Sequence, residues 1–226
     1  SHVPDLPGGR LALKQSADLG VGLRLNQDQL ELVSLYRFAG GEMLARPCSL
    51  FSLVLSDAEG QQVIVSTDDG LTVAEARGLE EGEQAVVRFD AAANTGLTGL
   101  HATLTMTMSA GGLALRLAVD NDTQYSLEQV VIPDVTIGAL GDPSDDMAYA
   151  PRGFGVGFPN PTGGGVRYLG YYPSGGAVVQ FLAMTDRGGG VYVAAHDPTA
   201  CTKNLRLESD GSCNGLRMWQ EIPAPD

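Results

Sequence analysis

Basic residues are scarce in this sequence. Its 226 residues include 14 lysines and arginines against 27 aspartates and glutamates, so the formal net charge is −13 at pH 7. A charge of this sign and size repels phosphate backbones and anionic membrane surfaces at long range. We therefore expect neither nucleic acid nor a membrane among the partners of this protein.

Long apolar runs are also missing. No apolar segment approaches the roughly 20 residues that a membrane-spanning helix needs, and the N-terminus does not show a basic segment followed by an apolar one. Ser1-His2 resembles the remnant of a cleaved expression tag. The sequence therefore does not fix the compartment, and an extracytoplasmic location is our working expectation.

Cysteine is rare, and its spacing does not indicate a metal site. Cys48, Cys201 and Cys213 form no C-x-x-C motif and no pairing with histidines, so we expect neither a metal nor another cofactor. Residues 209–212 predict a hairpin turn that places Cys201 opposite about Gln220. A Cys201–Cys213 disulfide would need a different register and is the less favoured alternative.

Glycine and proline are plentiful, with 30 and 12 residues respectively. Between these breaks the apolar residues alternate with polar ones and do not keep a helical spacing over any long stretch. The pattern predicts an all-β single domain over residues 1–226, with two large antiparallel sheets packed face to face. Strands are predicted at 21–25, 30–36, 51–55, 63–65, 85–89, 129–135, 177–182, 191–195, 205–207 and 216–219, and a short helix at 72–77.

The clearest unit is an antiparallel hairpin of strands 100–108 and 113–119, joined by the turn 109–112. Pairing around that turn places Met106 opposite Leu115 and makes one face of the hairpin wholly apolar. The same register pairs Met108 with Leu113 and Leu104 with Leu117, and it turns Thr103, Thr105 and Thr107 outward. We expect other strands to cover the apolar face.

Residues 138–176 interrupt the strand pattern with several glycine- and proline-rich segments. We predict a long loop excursion here. Loops of this length in a compact domain are usually functional or disordered, and the many aromatic residues argue against simple disorder. This segment is the predicted contact region for a partner.

No catalytic set stands out among the acidic and nucleophilic residues. Asp142, Asp145, Asp146 and Asp210 lie in turn-like segments, where aspartate is favoured because its side chain accepts bonds from nearby backbone N–H groups. The sequence contains no G-x-S-x-G motif. We therefore assign no catalytic residue.

Two features could contact a ligand. His196-Asp197 follows an apolar strand directly, and residues at a strand end can point into a cleft, although an aspartate before proline is also a common turn former. The aromatic residues of the excursion, together with Trp219, could stack on sugar rings, or else form core or interdomain contacts. The aromatic candidates of this group are Tyr149, Phe154, Phe158, Tyr168, Tyr171, Tyr172 and Trp219.

Three segments carry a resemblance to a known family: 150–155 (APRGFG), 180–198 (QFLAMTDRGGGVYVAAHDP) and a hairpin that closes at 222–225 (IPAP). They resemble the N-terminal supersandwich of multidomain bacterial glycoside hydrolases, in which a galactose-mutarotase-like β-domain precedes a (β/α)8 catalytic barrel. The resemblance follows the strand order over most of the chain, and its specific part is about the last 75 residues.

The resemblance implies that this chain is the N-terminal fragment of a longer enzyme. Such a domain packs on the downstream barrel and shapes the substrate cleft, while the barrel supplies both catalytic carboxylates. Arg152, in a glycine-rich turn, fits a residue lent to that cleft, because a guanidinium group pairs with carboxylates or sugar hydroxyls. A salt bridge of Arg152 within its own loop is the alternative.

Two other functions stay open at the level of sequence. One is a stand-alone carbohydrate-binding module that uses the aromatic residues of 149–172. The other is a mutarotase-type sugar epimerase that uses His196, although the Asn/His-containing motif of true mutarotases, with its histidine acid and glutamate base, is not found. The residues expected to contact carbohydrate or a barrel are Arg152, Tyr149, Tyr171, Tyr172, His196, Asp197 and Trp219.

Overall fold

The computed structural model describes residues 10–16, 18–38, 40–79, 83–110 and 112–223. They form β-strands connected by turns, with one 3-10 turn (Ala93–Thr95) and one single-turn helix, α1 (Pro161–Gly164). The strands are β1 (Arg10–Gln15), β2 (Leu19–Asn26), β3 (Gln29–Arg37), β4 (Gly41–Glu42), β5 (Cys48–Ser49), β6 (Ser52–Ser56), β7 (Gln62–Ser66), β8 (Leu71–Arg77), β9 (Gln84–Ala91), β10 (Leu100–Ser109), β11 (Gly112–Asn121), β12 (Ser126–Ile137), β13 (Met147–Ala150), β14 (Val156–Pro159), β15 (Arg167–Tyr172), β16 (Phe181–Asp186), β17 (Gly189–Ala194), β18 (Lys203–Ser209) and β19 (Asn214–Glu221).

The strands form four antiparallel sheets. Sheet 1 has the order β1-β2-β3-β4 with β5 also on β3, and sheet 2 has the order β11-β10-β9-β8. Sheet 3, the largest, has the order β15-β18-β19-β12-β6-β7, and sheet 4 has the order β14-β13-β16-β17. The prediction of an all-β antiparallel fold is confirmed. The prediction of two large sheets is not confirmed. The hydrogen bonding divides the strands into four smaller sheets, and this arrangement is propeller-like.

The hairpin of sheet 2 has the predicted register. Met106 lies opposite Leu115, and the flanking pairs Met108 with Leu113 and Leu104 with Leu117 are also formed. Along β10 the even-numbered residues are buried, and the threonines between them are half-buried. The alternation of apolar and polar residues therefore determined which face of this hairpin packs on the core.

Two local predictions are wrong. Residues 72–77 form most of β8 and not a helix, because this segment pairs with β9. Residues 138–176 are not one loop, since they contain β13, β14, α1 and β15. The predicted strand 177–182 begins later, at Phe181. These elements depend on pairing with other strands, which local residue preferences cannot report.

The hairpin of β18 and β19 turns slightly later than expected. Ser209 pairs with Asn214, and Lys203, not Cys201, lies opposite Gln220. Cys48, Cys201 and Cys213 are all free, so the alternative of a Cys201–Cys213 disulfide is not observed. Cys201 is exposed and Cys213 is buried.

One continuous apolar core receives side chains from all four sheets. Phe51, which precedes β6, and Phe89 in β9 lie at its centre, with rings edge to face and centroids 5.4 Å apart. Both are almost completely buried. Aromatic pairs of this geometry are favoured because the positive edge of one ring meets the negative face of the other.

A buried ion pair connects sheet 1 to sheet 4. Arg37, at the end of β3, donates to both carboxylate oxygens of Asp186, at the end of β16, at 2.9 and 2.8 Å. The hydrogen bond from Arg37 lowers the pKa of Asp186. Burial raises the pKa of the neighbouring carboxyl of Asp146, although the Leu140 N–H donates to it at 3.2 Å.

Candidate binding surfaces

An aromatic face covers the side of sheet 4 that is turned away from the core. Ala148 and Leu182 point into the core, so the residues that alternate with them point outward. Tyr149, Ala183 and Tyr192 lie side by side on three neighbouring strands. The ring of Phe181 lies beside that of Tyr192, with centroids 5.4 Å apart and planes inclined by 30°. We call Tyr149, Phe181, Ala183 and Tyr192 the aromatic face.

This face has the properties of a contact surface. Tyr149 is 38% exposed and Tyr192 is 63% exposed, whereas Ala183 between them is buried. Large aromatic side chains that a sheet leaves exposed are suited to stack on a sugar ring or to pack against another domain. Tyr149 was predicted from the sequence as a contact residue, whereas Phe181 and Tyr192 were not. The alternation of apolar residues in 181–194 was the signal that could have found them.

The turn between β13 and β14 adds to this exposed region. Arg152 and Phe154 are both exposed there, and the Phe154 side chain is fully exposed to solvent. The turn is held to the segment before β16 by two hydrogen bonds: the N–H of Gly153 donates to Gly175 O at 3.1 Å, and the N–H of Val178 donates to Pro151 O at 3.0 Å. Arg152 forms no salt bridge with any residue in the described part of the chain.

The outward face of sheet 3 brings two other predicted residues near each other. Tyr171 and Trp219 lie on either side of Asn204, on β15, β19 and β18 respectively. Tyr171 is 54% exposed, and the guanidinium carbon of Arg217 lies 5.4 Å from the centre of the Trp219 ring. Asn204 is buried and donates to Glu221 Oε1 at 2.9 Å. Tyr172, the next residue on β15, is half-buried and lies opposite Lys203.

Beside this row, sheet 3 carries a charged cavity of about 350 Å³. Its charged lining consists of four arginines and three carboxylates: Arg46, Arg167, Arg206, Arg217, Asp134, Glu208 and Asp210. Thr136, Ser209, Cys213 and Gly215 complete it. This cavity was not predictable from the sequence, because its residues come from five separate segments.

The hydrogen bonds in this cavity are unevenly distributed. Glu208 accepts from Arg167 Nε at 3.0 Å and from Arg206. The nearest approach of Arg217 to a carboxylate is 3.7 Å, from Nη1 to Asp134 Oδ2. That distance is longer than a hydrogen bond. Among the described residues, Arg217 Nε, Trp219 Nε1 and Asn204 Oδ1 are buried without a hydrogen-bond partner.

The Asp210 carboxylate accepts hydrogen bonds from residues of its own turn. Its carboxylate accepts from the backbone N–H groups of Ser212 and Cys213 at 2.8 and 2.9 Å and from the Ser212 hydroxyl at 2.7 Å. These bonds lower the pKa of Asp210. Burial raises the pKa of the Cys213 thiol, which donates to Asp210 Oδ2 at 3.2 Å. As expected from the sequence, the Asp210 side chain stabilises the turn that contains it.

Asp197 also has a local role. It accepts from the backbone N–H groups of Thr199 and Cys201, both at 2.9 Å, and from Lys203 Nζ at 2.5 Å. The bond from Lys203 is the main cause of a lowered pKa of Asp197. His196 is exposed beside it. A contact of either residue with a ligand stays a prediction.

The described residues contain neither a metal-ligand cluster nor a membrane-spanning helix. Within the part of the chain that the structure describes, no three side chains of histidine, cysteine, aspartate or glutamate are grouped so that they could hold a metal ion. The same residues contain no helix of the length and hydropathy that crossing a bilayer requires.

Comparison with known proteins gives a fold and not a family. No family model and no curated protein sequence matches the chain. Among solved structures, the chain is similar to the α-N-acetylgalactosaminidase NagBb from Bifidobacterium bifidum, solved as a GalNAc complex, with a TM-score of 0.61 and 14% identity. The match covers 92% of this chain and 33% of that one, so the chain spans about a third of the enzyme's length. A likeness at this identity shows a shared fold.

Proposed function

We propose that this chain is a non-catalytic accessory domain of a carbohydrate-active enzyme, a glycoside hydrolase, and that its four sheets form a galactose-mutarotase-like supersandwich. In this proposal the domain packs on a downstream (β/α)8 barrel of the same polypeptide and shapes its substrate cleft. The catalytic carboxylates lie in the barrel. The single observation that carries the proposal is the fold match of nearly the whole chain to one third of an α-N-acetylgalactosaminidase.

The exposed apolar residues of sheet 4 support a docking role. Tyr192 is 63% exposed, and Phe154 in the turn between β13 and β14 is 112% exposed. Val178 and Val179, in the segment that is hydrogen-bonded to this turn, are 47% and 45% exposed. Exposed apolar groups gathered in one region mark interaction sites more often than surfaces left to water. The occupant we assign to this surface is the barrel, because the matched enzyme is about three times as long as the matched region.

The carboxylates of the domain support a non-catalytic assignment. Glycosidase chemistry needs two carboxyl groups that face each other across a cleft at a separation of roughly 5–10 Å. Asp197 and Asp210 are held by the hydrogen bonds of their own turns. Glu208 is paired with two arginines. Each is therefore engaged in a structural contact.

The proposal is tested by extending the native reading frame past codon 226 and producing the longer protein beside residues 1–226. We expect glycoside hydrolase activity on aryl glycosides in the longer protein and none in the domain alone. Phe154→Ser and Tyr192→Ser in the longer protein should lower its melting temperature, because they weaken the interface, whereas Ile64→Ser, at an equally exposed site on β7, should not. Steady turnover by residues 1–226 would overturn the proposal.

A carbohydrate-binding module is the second candidate, and the aromatic face is the observation that favours it. Tyr149 and Tyr192 flank Ala183 on the outward side of sheet 4, an arrangement that can receive the apolar face of a sugar. Titration of residues 1–226 with soluble glycans separates the candidates. A glycan that binds the wild-type domain and not Tyr192→Ala would establish the module.

A further inference from the structure

The charged cavity of sheet 3 holds an excess of arginine in a strongly acidic chain. Only 14 of the 226 residues are basic, yet four arginines line this one cavity with three carboxylates. One of the three carboxylates, that of Asp210, already accepts hydrogen bonds from two backbone N–H groups and from the Ser212 hydroxyl. The cavity is therefore a local site of positive charge on a negative molecule.

Two of the four arginines have donors to spare. Arg46 is exposed and makes no salt bridge or side-chain hydrogen bond with any residue that the structure describes. Arg217 stands 3.7 Å from Asp134. By contrast, Arg167 and Arg206 both bind Glu208. Arg46 and Arg217 are thus the two cavity arginines that form no hydrogen bond with a carboxylate of the described residues.

Arg217 contacts an aromatic ring and lies on an interior strand of sheet 3. Its guanidinium lies against the Trp219 ring, with 5.4 Å between the guanidinium carbon and the ring centre, and β19 lies inside the sheet between β18 and β12. An arginine that is held by an aromatic plane loses less conformational entropy when it binds an oxyanion. The volume of about 350 Å³ falls at the lower end of the range for small-molecule sites.

We propose that this cavity binds an acidic sugar, a hexuronate unit whose carboxylate is received by Arg46 and Arg217. A planar carboxylate matches the paired N–H groups of guanidinium, and the Thr136 hydroxyl in the cavity wall is available to a ring hydroxyl. The assignment of a sugar rests on the proposed function. The assignment of an anion rests on the cavity itself, and a sulfate ester is the competing source of that anion.

The test uses residues 1–226 with arginine side chains labelled for ¹H–¹⁵N NMR, titrated with glucuronate, glucose 6-sulfate, glucose and acetate. Glucuronate should shift the Nε–Hε signals of Arg46 and Arg217, while glucose should not. Arg46→Ala should weaken glucuronate binding by about tenfold or more. Arg116→Ala is the matched control, because Arg116 is exposed on β11 and lies outside the cavity. Both substitutions remove exposed side chains, and both variants should fold.

Several outcomes would overturn the proposal. These are the absence of a glucuronate-induced shift at the cavity arginines, equal affinity for acetate and glucuronate, unchanged affinity in Arg46→Ala, and tighter binding of glucose 6-sulfate than of glucuronate. Failure of the proposed function has a different signature. A longer protein without glycosidase activity would reject that function, whereas the arginine signals of the isolated domain report on the cavity alone.

Discussion

At the scale of single residues, chemical reactivity follows burial more closely than residue type. The three cysteines are all free but differ in their surroundings. Burial raises the pKa of Cys48 to about 12, and burial also raises that of Cys213. A thiol attacks only as the thiolate, so neither Cys48 nor Cys213 is activated.

We therefore expect one fast-reacting thiol in the native protein, Cys201, which is exposed. The raised pKa of Cys48 keeps its side chain in the unreactive thiol form at pH 8. Timed iodoacetamide labelling with peptide mass spectrometry measures the three rates, and Cys201→Ser should remove the fast phase. Rapid labelling of Cys48, or a native peptide pair joined through Cys201 and Cys213, would contradict the prediction. Three fast thiols should appear after unfolding.

At the scale of elements, the ion pair between Arg37 and Asp186 connects sheet 1 to sheet 4. Arg37 and Asp186 have side chains that are 11% and 14% exposed. Removing one member of a mostly buried pair leaves the other charge without its partner, which costs more than the pair itself contributes. The contact between the ends of β3 and β16 depends on both.

Asp186→Asn should lower the free energy of unfolding at pH 7 by about 2 kcal/mol. Arg37 lowers the pKa of Asp186, so this stabilisation is present above the ordinary aspartate pKa near 3.8 and is lost as the pH falls through the lower native value. The difference from wild type should shrink below that pH. Urea unfolding between pH 2 and 8 measures it.

Asp120→Asn is the matched control, since Asp120 is exposed on β11 and forms no salt bridge with the described residues. Its stability curve should follow that of wild type at every pH. A constant offset for Asp186→Asn down to pH 2 would show that the ion pair is not the cause.

The elements also show how far the sequence could be interpreted. The hairpin of β10 and β11 was predictable to the residue, because its turn is short and its alternation is strict. Strand β8 was mistaken for a helix because Glu75, Ala76 and Arg77 favour helices, and pairing with β9 overrides that preference.

The candidate sites were predictable only in part. Tyr149 and Trp219 were found as aromatic residues, but the sheets that carry them could not be inferred. Arg217 on β19 lies opposite Arg206 on the neighbouring strand β18. The predicted register of this hairpin differed from the observed register by two residues. A displacement of that kind keeps the correct face but pairs the wrong neighbours, so the cavity could not be derived.

At the scale of the whole molecule, one core serves four sheets, and its centre should be the least tolerant place in the chain. Phe89→Ala should lower the free energy of unfolding by about 4 kcal/mol and the melting temperature by roughly 10 °C. Phe89 is fully buried and packs edge to face on Phe51. Scanning calorimetry makes the measurement. In the isolated domain of residues 1–226, Phe154→Ala, on the surface, should leave the melting temperature within about 1 °C of wild type.

The order of strands in sheet 3 has a consequence for how the chain reaches its native state. β19, the last of the described strands, lies in the interior of the sheet between β18 and β12, and β12 in turn pairs with β6, which pairs with β7. During translation, β6, β7 and β12 are therefore synthesised before β19, the strand that pairs with β12. Closing such distant pairs makes folding slow, and the waiting intermediate exposes the edge of β12 to other nascent chains.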